Sequence, residues 1–582
     1  MTAAESMEAL PVVAAGSGAQ LWDISHPPVL FFLLSALLIL LVTLEARKHG
    51  RSHQQKQQQQ QQQQKNSAPD PPGPFAFPIV GNSLQLGPMP HLTLTAMAQR
   101  YGPVFRIHLG HEPVVVLTGE EIIREALVKR GTEFAGRPDF PSFALVSGGN
   151  SMSFTNYSEL WRMHRRLAHS TLRAFFTGTA ATRRVFEGHV RLEAAELCAM
   201  LAAATSRAGG GVVDPSEPTV LAVANVISAV CFGKRYEHDD AELRDLLSNN
   251  ERFSKTVGAG SVVDVMPWLM RFPNPVRSIY RDFEQMNNEF FAFVQRKVQE
   301  HRDSYDPAAT PRDMIDALIG HIEGGGGDSD EEGDAADGAG AAAGGAAGGA
   351  GGGAREEPLK LGPQYVDSTL TDVFGAGQDT MSTSLLWFVL LCAKHPDLQA
   401  DMQRDIDRVV GRERLPRLDD RPQLACVDAF VCEMMRHVSY VPFTIPHATT
   451  TDTELNGYRI AKGTVVFVNQ WSVNHDPAIW RDPERFDPSR FLDETGAALD
   501  RDIARRVMIF SSGKRRCIGY EMAKMQLFLF CSVLLHQLSM SVPPGHVVSL
   551  EGVYGLSLKP KHISVAFTPR EQLLGRPGEA EE

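Results

Sequence analysis

Apolar and polar positions follow three different rhythms along this chain. From Val29 to Leu44, VLFFLLSALLILLVTL is uncharged and almost wholly apolar. As a helix of about 1.5 Å per residue it spans roughly 24 Å, a little short of a hydrocarbon core of about 30 Å, and Pro27, Pro28 and their neighbours can extend it. Period-two runs are short. Val104–Leu109 and Val114–Leu117 flank Gly110 and Pro113 and predict a hairpin, Asn456-Gly457 is a strong hairpin turn, and Val465–Val468 is a further strand candidate. Most of 122–299 and 366–394 has helical periodicity, with Asp367-Ser-Thr as polar N-cap candidates for the second stretch. Leu424, Val427, Phe430, Val431 and Met434 also keep helical spacing. Strands gather early and late around a largely helical body. The predicted fold class is mainly α with small β-sheets, in one large domain, and not a parallel α/β fold.

Charge and composition then set the location and the boundaries. Arg47, Lys48, Arg51 and Lys56 follow the apolar run, while Glu5, Glu8 and Asp23 precede it. The excess of cations downstream puts the bulk of the chain in the cytosol. A cleaved signal peptide is the alternative. The run is long for such a leader, its cationic flank is on the wrong side, and no clear A-x-A site follows. The expected organisation is a short lumenal N-terminus at 1–28, a transmembrane signal anchor at 29–44, a Gln-rich tether at 45–68 and a domain at 69–582. The prolines of 69–78 form a semi-rigid spacer. Within the domain, 324–354 is almost all Gly, Ala, Asp and Glu and reads as a disordered insertion. It holds Asp328, Asp330, Glu331, Glu332, Asp334 and Asp337 and no basic residue, so half of the formal charge of −12 lies there. A general nucleic-acid binder is excluded. Seven cysteines at wide spacing, with no C-x-x-C, argue against a disulfide framework or a zinc ribbon.

One cysteine stands apart. In FSSGKRRCIG, Cys517 follows Lys514, Arg515 and Arg516 and lies between Gly513 and Gly519, with 518–536 reading as a helix that begins at it. Cations and a helix N-terminus favour a thiolate. Glycines let a flat, bulky group approach the backbone, and Phe510 can cover the sulfur. A buried structural cysteine beside a surface basic run is the plain alternative; the full pattern F-x-x-G-x-R-x-C-x-G, met at Phe510, Gly513, Arg515, Cys517 and Gly519, weighs against it.

That pattern resembles the haem-binding loop of the cytochrome P450 superfamily, and three further motifs occur in that family's order. In AGQDT, Ala376 to Thr380, Gly375 and Gly377 sit inside an apolar helix at around 1 kcal/mol each relative to alanine. The resemblance implies an oxygen groove there, with Thr380 and Asp379 as catalytic residues that pass protons. Glu433-x-x-Arg436 resembles a structural lock completed by Arg485 of Pro483-Glu484-Arg485-Phe486. Trp161-x-x-x-Arg165 resembles the partners of the haem propionates, with Arg515 and His447 as others; His164 and His169 receive no ligand role.

The resemblance covers everything from about Pro69 onward, and the anchor with its proline spacer matches the microsomal branch. FVNQWSVNHDP, TVGAGSVVDVMPW and RVMIFSSGKRRCIG resemble family one, subfamily B; the glutamine tract and the acidic insertion depart from it. It implies haem b with an axial thiolate from Cys517. It implies an enzyme that inserts one oxygen atom from O₂, with electrons from NADPH through a flavoprotein cytochrome reductase and with cytochrome b5 as a second partner. Phe140, Asn250, Phe253, Phe290 and Ala376 match a narrow aromatic-lined pocket, so polycyclic aromatics and oestrogen-type steroids are the expected substrates, with retinoids and polyunsaturated fatty acids beside them. The expected location is the endoplasmic reticulum membrane, and the sequence leaves a mitochondrial one open. Two rivals are a reductase-independent lipid-peroxide isomerase or dehydratase and a non-catalytic haem sensor. The intact Asp379-Thr380 pair weighs against both.

Overall fold

Two long buried helices organise everything else in the computed structural model, which describes residues 68–256, 262–324, 359–543, 545–546 and 549–571. The expected anchor at 29–44, nearly all of the tether and nearly all of the 324–354 insertion lie outside the described residues. Among the described residues, no helix is long and apolar enough to cross a membrane. From Ala68 onward the chain is one unit.

The principal helices are α1 (Pro90–Tyr101), α2 (Glu159–Arg173), α3 (Ala180–Arg207), α4 (Ser216–Phe232), α5 (Ala241–Thr256), α6 (Pro275–Asp303), α7 (Met314–Ile322), α8 (Gln364–Lys394), α9 (Pro396–Val410), α10 (Ala425–Val438) and α11 (Tyr520–Gln537). The strands are β1 (Val104–Leu109), β2 (Glu112–Leu117), β3 (His447–Ala448), β4 (Thr453–Leu455), β5 (Tyr458–Ile460), β6 (Val465–Val468), β7 (Leu538–Ser541), β8 (Gly552–Val553), β9 (Lys559–Pro560) and β10 (Ala566–Pro569). The mainly α fold with small sheets is therefore as expected.

Both α8 and α11 are buried on nearly every side, as helices surrounded by protein; α11 and the C-terminal third of α8 are mostly apolar, while the rest of α8 also buries polar residues such as Asp372 and Asp379. α8 packs against α4, α6 and α11, and α11 against α3 and α9. The start of α8 differs from expectation. It begins at Gln364 with Pro363 in the cap position, so Asp367-Ser-Thr lies inside the helix. Ser368 and Thr369 donate back to the Tyr365 carbonyl, and burial raises the Asp367 carboxyl. A proline supplies the helical φ without needing a donor, so no polar cap was required.

The expected hairpin forms, with β1 antiparallel to β2 and Val104 opposite Leu117. The sheet order is β1-β2-β6-β3, and β6 runs parallel to β2 with Val465 opposite Val114. That pairing brings His447 to the inner edge of a sheet begun some 340 residues earlier, across from Val466. The Asn456-Gly457 turn takes positive φ at both residues, 51° and 76°, and joins β4 to β5 as its chemistry predicts.

Candidate functional site

Cys517 lies in a tight loop ahead of α11. Its amide donates to the Phe510 carbonyl at 2.9 Å, and α11 starts at Tyr520 with Gly519 in the cap position, not at the cysteine. Gly513 has φ +66°, and a Cβ there would sit 1.8 Å from the Leu127 carbonyl oxygen, so this glycine is required by the neighbouring turn. A Cβ on Gly519 would meet only the Cys517 sulfur, at 3.9 Å. Phe510 packs edge-on against Tyr520, 4.9 Å between ring centres. Cys198, Cys231, Cys392, Cys432 and Cys531 are buried and Cys426 nearly so, while Cys517 has accessible surface. Burial is nevertheless the largest influence on its thiol, so protein surrounds the sulfur while leaving part of it accessible, as in a recess. Burial pushes the Cys517 thiol up, against the Gly519 amide and the charges of Arg165 and Arg516. The expected net cationic activation is thus outweighed. Lys514 points to solvent and Arg515 turns away to other partners.

Those partners define a cationic cradle. Arg515 is buried and donates to the carbonyls of Ala135 at 2.8 Å, Met152 at 3.0 Å and Thr155 at 2.8 Å. Its guanidinium lies 3.9 Å over the Trp161 ring; Arg165 lies 5.6 Å from the same ring and donates to the Arg516 carbonyl. The Trp161 indole N–H donates to the Met152 carbonyl at 2.8 Å. Arg137, which the sequence reading passed over, is buried beside them and donates to Ser153, Ile445 and Pro446 carbonyls. Among the described residues neither Arg137 nor Arg515 pairs with a carboxylate. Burial and the charge of Arg165 pull Arg137 down to about 9. Burial and the charges of Arg137 and Arg165 pull Arg515 down to about 7. A guanidinium does not in practice release its proton, so Arg137 and Arg515 stay charged, and a nearby anion would offset the cost of burying them.

His447 completes the cradle. Its Nδ1 bonds the Phe134 carbonyl at 2.7 Å, and its Nε2 is buried without a partner. Burial, then Arg137, hold it neutral, well below the usual histidine range. An anion placed between Arg137 and Arg515 would balance both guanidiniums, and its charge would let His447 take up a second proton, so that Nε2 could donate to it as well.

On α8, Ala376 is exposed inside an otherwise buried helix, and a Cβ on Gly375 would meet nothing within 4 Å. The two glycines of this motif therefore do different work. Gly375 leaves open space beside Ala376, whereas a Cβ on Gly377 would come within 2.9 Å of Ile227, so Gly377 lets α4 approach. Thr380 donates to the Ala376 carbonyl and Ser384 to the Thr380 carbonyl, each at 2.8 Å. Back-bonds of this kind compete with the helix ladder and bend it. Asp379 faces β9, where Lys559 lies 2.6 Å from Oδ1 and Ser557 donates to Oδ2 at 2.8 Å.

The predicted aromatic wall is divided. Phe140 packs on Phe143 at 5.2 Å, Phe143 on Phe154 at 4.7 Å, and Phe253 on Phe283 at 5.5 Å, all in one cluster. Phe290 belongs to another, 5.6 Å from Phe374. Asn250 is on α5, and its side chain is outside the described residues.

The Glu433–Arg436 pair is fully buried and bidentate, at 2.7 and 2.8 Å, and Arg436 also donates to the Asn474 carbonyl at 2.9 Å. Its expected third member, Arg485, is corrected. The Arg485 side chain is 70% exposed and contributes only its backbone carbonyl to Arg436. The third member is Arg490, the second guanidinium, 3.5 Å from Glu433, and the Asp487 amide donates to the same carboxylate at 2.8 Å. The chain carries P-x-R-F twice, at 483–486 and 488–491; the fully buried Phe491 marks the second as the internal copy.

Comparison with known proteins agrees with this layout. The family described as Cytochrome P450 matches residues 71–336 and 353–567. Cytochrome P450 1B1 of Homo sapiens is 51% identical over 503 residues, covering 86% of this chain and 88% of that protein. The Rattus norvegicus protein of the same name is 50% identical over equal shares. Cytochrome P450 1A1 of Limanda limanda is 40% identical, over 86% of this chain and 90% of that protein.

Proposed function

The chain belongs to the cytochrome P450 family, and from that premise we propose that it is a membrane-anchored oxidase of flat aromatic and steroid-like molecules, fed with electrons by an NADPH-dependent flavoprotein reductase. Haem-thiolate monooxygenase activity belongs to the family; the substrates, the reductase, cytochrome b5, the anchor at 29–44 and the endoplasmic reticulum location are this proposal's own.

The residues fit the cofactor. A thiol raised by burial yet left partly accessible is a poor nucleophile for solution chemistry but a ready ligand, because a bound metal ion deprotonates a coordinating thiol outright. We assign Cys517 as that ligand, with the Gly519 amide supporting its charge. Arg137, Arg165, Arg515 and His447 would hold the propionates. Trp161 spends its N–H on Met152, so its part is to stack against Arg515 and Arg165. When bound, thiolate-ligated haem activates O₂ and delivers one of its oxygen atoms to the substrate.

The remaining work falls to the chain. The Thr380 hydroxyl donates to Ala376, which leaves its oxygen free to accept a hydrogen bond from the open side of α8. Asp379, tied to Lys559 and Ser557, lies next to it in sequence and supplies an ionisable group from which protons can be passed. Ala376 and the open space beside Gly375 leave room for a flat ligand, and Phe140, Phe253 and Phe290, with Asn250 on α5, would wall it.

One observation carries this reading. A single loop supplies both an accessible thiol surrounded by protein and a buried guanidinium, Arg515, that pairs with no carboxylate among the described residues. The test is the carbon monoxide difference spectrum of the reduced protein, in the natural chain and in Cys517→Ser. A thiolate-type band in the former and its loss in the latter are expected; a thiolate band in Cys517→Ser overturns the assignment. NADPH- and reductase-dependent oxygen consumption stimulated by a planar aromatic tests the rest, and turnover of lipid peroxides without NADPH would overturn it.

A further inference from the structure

Segment 140–154, which carries Phe140, Phe143 and Phe154, is gripped by two buried carboxylates, and among the described residues neither makes an ion pair. Asp372 stands on α8 one turn before Ala376 and two before Thr380, on the same helix face. Its Oδ1 accepts from the hydroxyls of Ser147 at 2.7 Å and Ser151 at 2.8 Å. Its Oδ2 accepts from the Met152 amide at 2.6 Å, the Ser151 hydroxyl at 3.1 Å and the Ser153 amide at 3.3 Å. Asp264, in the helical turn Val262–Val265, accepts from the Ser142 amide at 3.0 Å and the Ser142 hydroxyl at 2.7 Å.

Between these grips the backbone has little freedom. Ser147, Gly148 and Gly149 all have positive φ, and a Cβ on Gly148 would lie 2.8 Å from the Phe291 ring of α6. Met152 then links two regions, since its amide donates to Asp372 while its carbonyl, in the next peptide unit, accepts from Trp161 and Arg515. Displacing segment 147–153 therefore disturbs both the space beside Ala376 and the cradle.

We propose that Asp372 and Asp264 are positioning residues that clamp segment 140–154 as a fixed wall of the substrate space, and thereby set how tightly flat ligands are held. The inference rests on the substrate reading given above and adds to it the device that keeps the wall rigid.

The clamp works because an ionised carboxylate only accepts, and every group presented to it donates. A protonated Asp372 turns one oxygen into a donor and leaves part of its set of Ser147, Ser151, Met152 and Ser153 unaccepted. Burial raises Asp372 to about 6, against those four donors, so the clamp weakens as pH falls through that value. Burial raises Asp264 as well, against the two Ser142 donors. Tyr280 of α6 faces Asp264, with its hydroxyl 3.5 Å from the Pro141 carbonyl, and its phenol is raised by burial and by the charges of Glu284 and Asp264.

The test uses the full-length, haem-loaded protein and phenanthrene as the flat probe, with the dissociation constant read from the spin-state change of the haem band between about pH 5 and 8. In the natural chain phenanthrene binding is expected to weaken below about pH 6. Asp372→Asn is expected to weaken it about tenfold at pH 7.5, to remove that pH dependence and to speed amide hydrogen exchange over 147–153. Asp264→Asn acts in the same direction and less strongly, because it has one residue to hold. Should Asp372→Asn not accumulate folded, Ser147→Ala and Ser142→Ala carry the test, each with about twofold weaker binding. Unchanged affinity and unchanged exchange in the substituted proteins, or a flat pH profile in the natural chain, overturns the clamp. Absence of any phenanthrene binding in the natural chain overturns the substrate reading instead, and exchange over 147–153 then still reads the clamp.

Discussion

Arg436 and Arg515 are both buried guanidiniums, and they are balanced in opposite ways. Arg436 meets Glu433 in a bidentate pair, with Arg490 and the Asp487 amide completing the carboxylate's set. Among the described residues Arg515 meets three carbonyls, the Trp161 ring and the charges of two more guanidiniums. A buried cation left without a counter-charge is strongly destabilising. The first cluster is closed on itself and can only hold the fold. In the second, Arg137 and Arg515 meet no carboxylate among the described residues and call for an anion, which is how a binding site differs from a structural lock made of the same residue types.

The largest expected effect breaks the closed cluster. Glu433→Ala strands Arg436 in the interior and should cost about 3–5 kcal/mol, seen as loss of folded, haem-loaded protein on expression and a lowered unfolding midpoint. A neutral result would mean that Arg436 finds another partner and that the two clusters are not distinct.

Next, the open cluster should respond mainly in cofactor affinity. Arg515→Gln should lower haem affinity on the order of tenfold, about 1.4 kcal/mol, with a smaller shift in the unfolding midpoint of haem-free protein than Glu433→Ala produces. Haem transfer to an acceptor protein measures the first and calorimetry the second. Equal losses in both measurements would erase the contrast.

His447 gives the contrast a pH dependence. Its folded pKa lies below the unfolded value, so the unfolded state binds the extra proton, and stability falls as pH drops through about 6.5. The slope for one such group is about 1.4 kcal/mol per pH unit. His91, His164, His437, His475 and His536 are lowered by burial in the same direction. His447→Leu should therefore remove one share of the acid sensitivity of haem-free protein, and a smaller share once haem carboxylates are present. An unchanged slope in haem-free protein would put His447 outside the cradle.

The smallest effect separates the two P-x-R-F copies. Arg485→Ala should stay within about 0.5 kcal/mol, as exposed substitutions do, whereas Arg490→Ala should cost about 1–3 kcal/mol by unbalancing Glu433. Denaturant midpoints compare them directly; the reverse order would return the lock to Arg485.

The misreadings share a cause. P-E-R-F at 483–486 matched by its letters, but which copy turns inward depends on how the loop after α10 is folded. Arg137 was missed because a single arginine between Gly136 and Pro138 carries no local mark; only the pairing of β3 with β6 and the position of the cysteine loop bring His447 and Arg515 to it. Asp372 was missed for a similar reason, since an aspartate one turn before AGQDT looks like the polar side of a helix until segment 147–153 is seen around it. Cys517 was found, yet its environment was misjudged: adjacent cations in sequence do not outweigh burial in space.

The chain's own order of residues determined the helices, the short strands, the Asn456-Gly457 turn and the cysteine loop, because periodicity, turn chemistry and glycine requirements act over a few neighbouring residues. Tertiary structure decided which charges are paired, which thiol stays accessible, and which carboxylates hold a wall. Electrostatic balance is a sum over groups brought together in space, and residues hundreds of positions apart in the chain contribute to it as strongly as neighbours do.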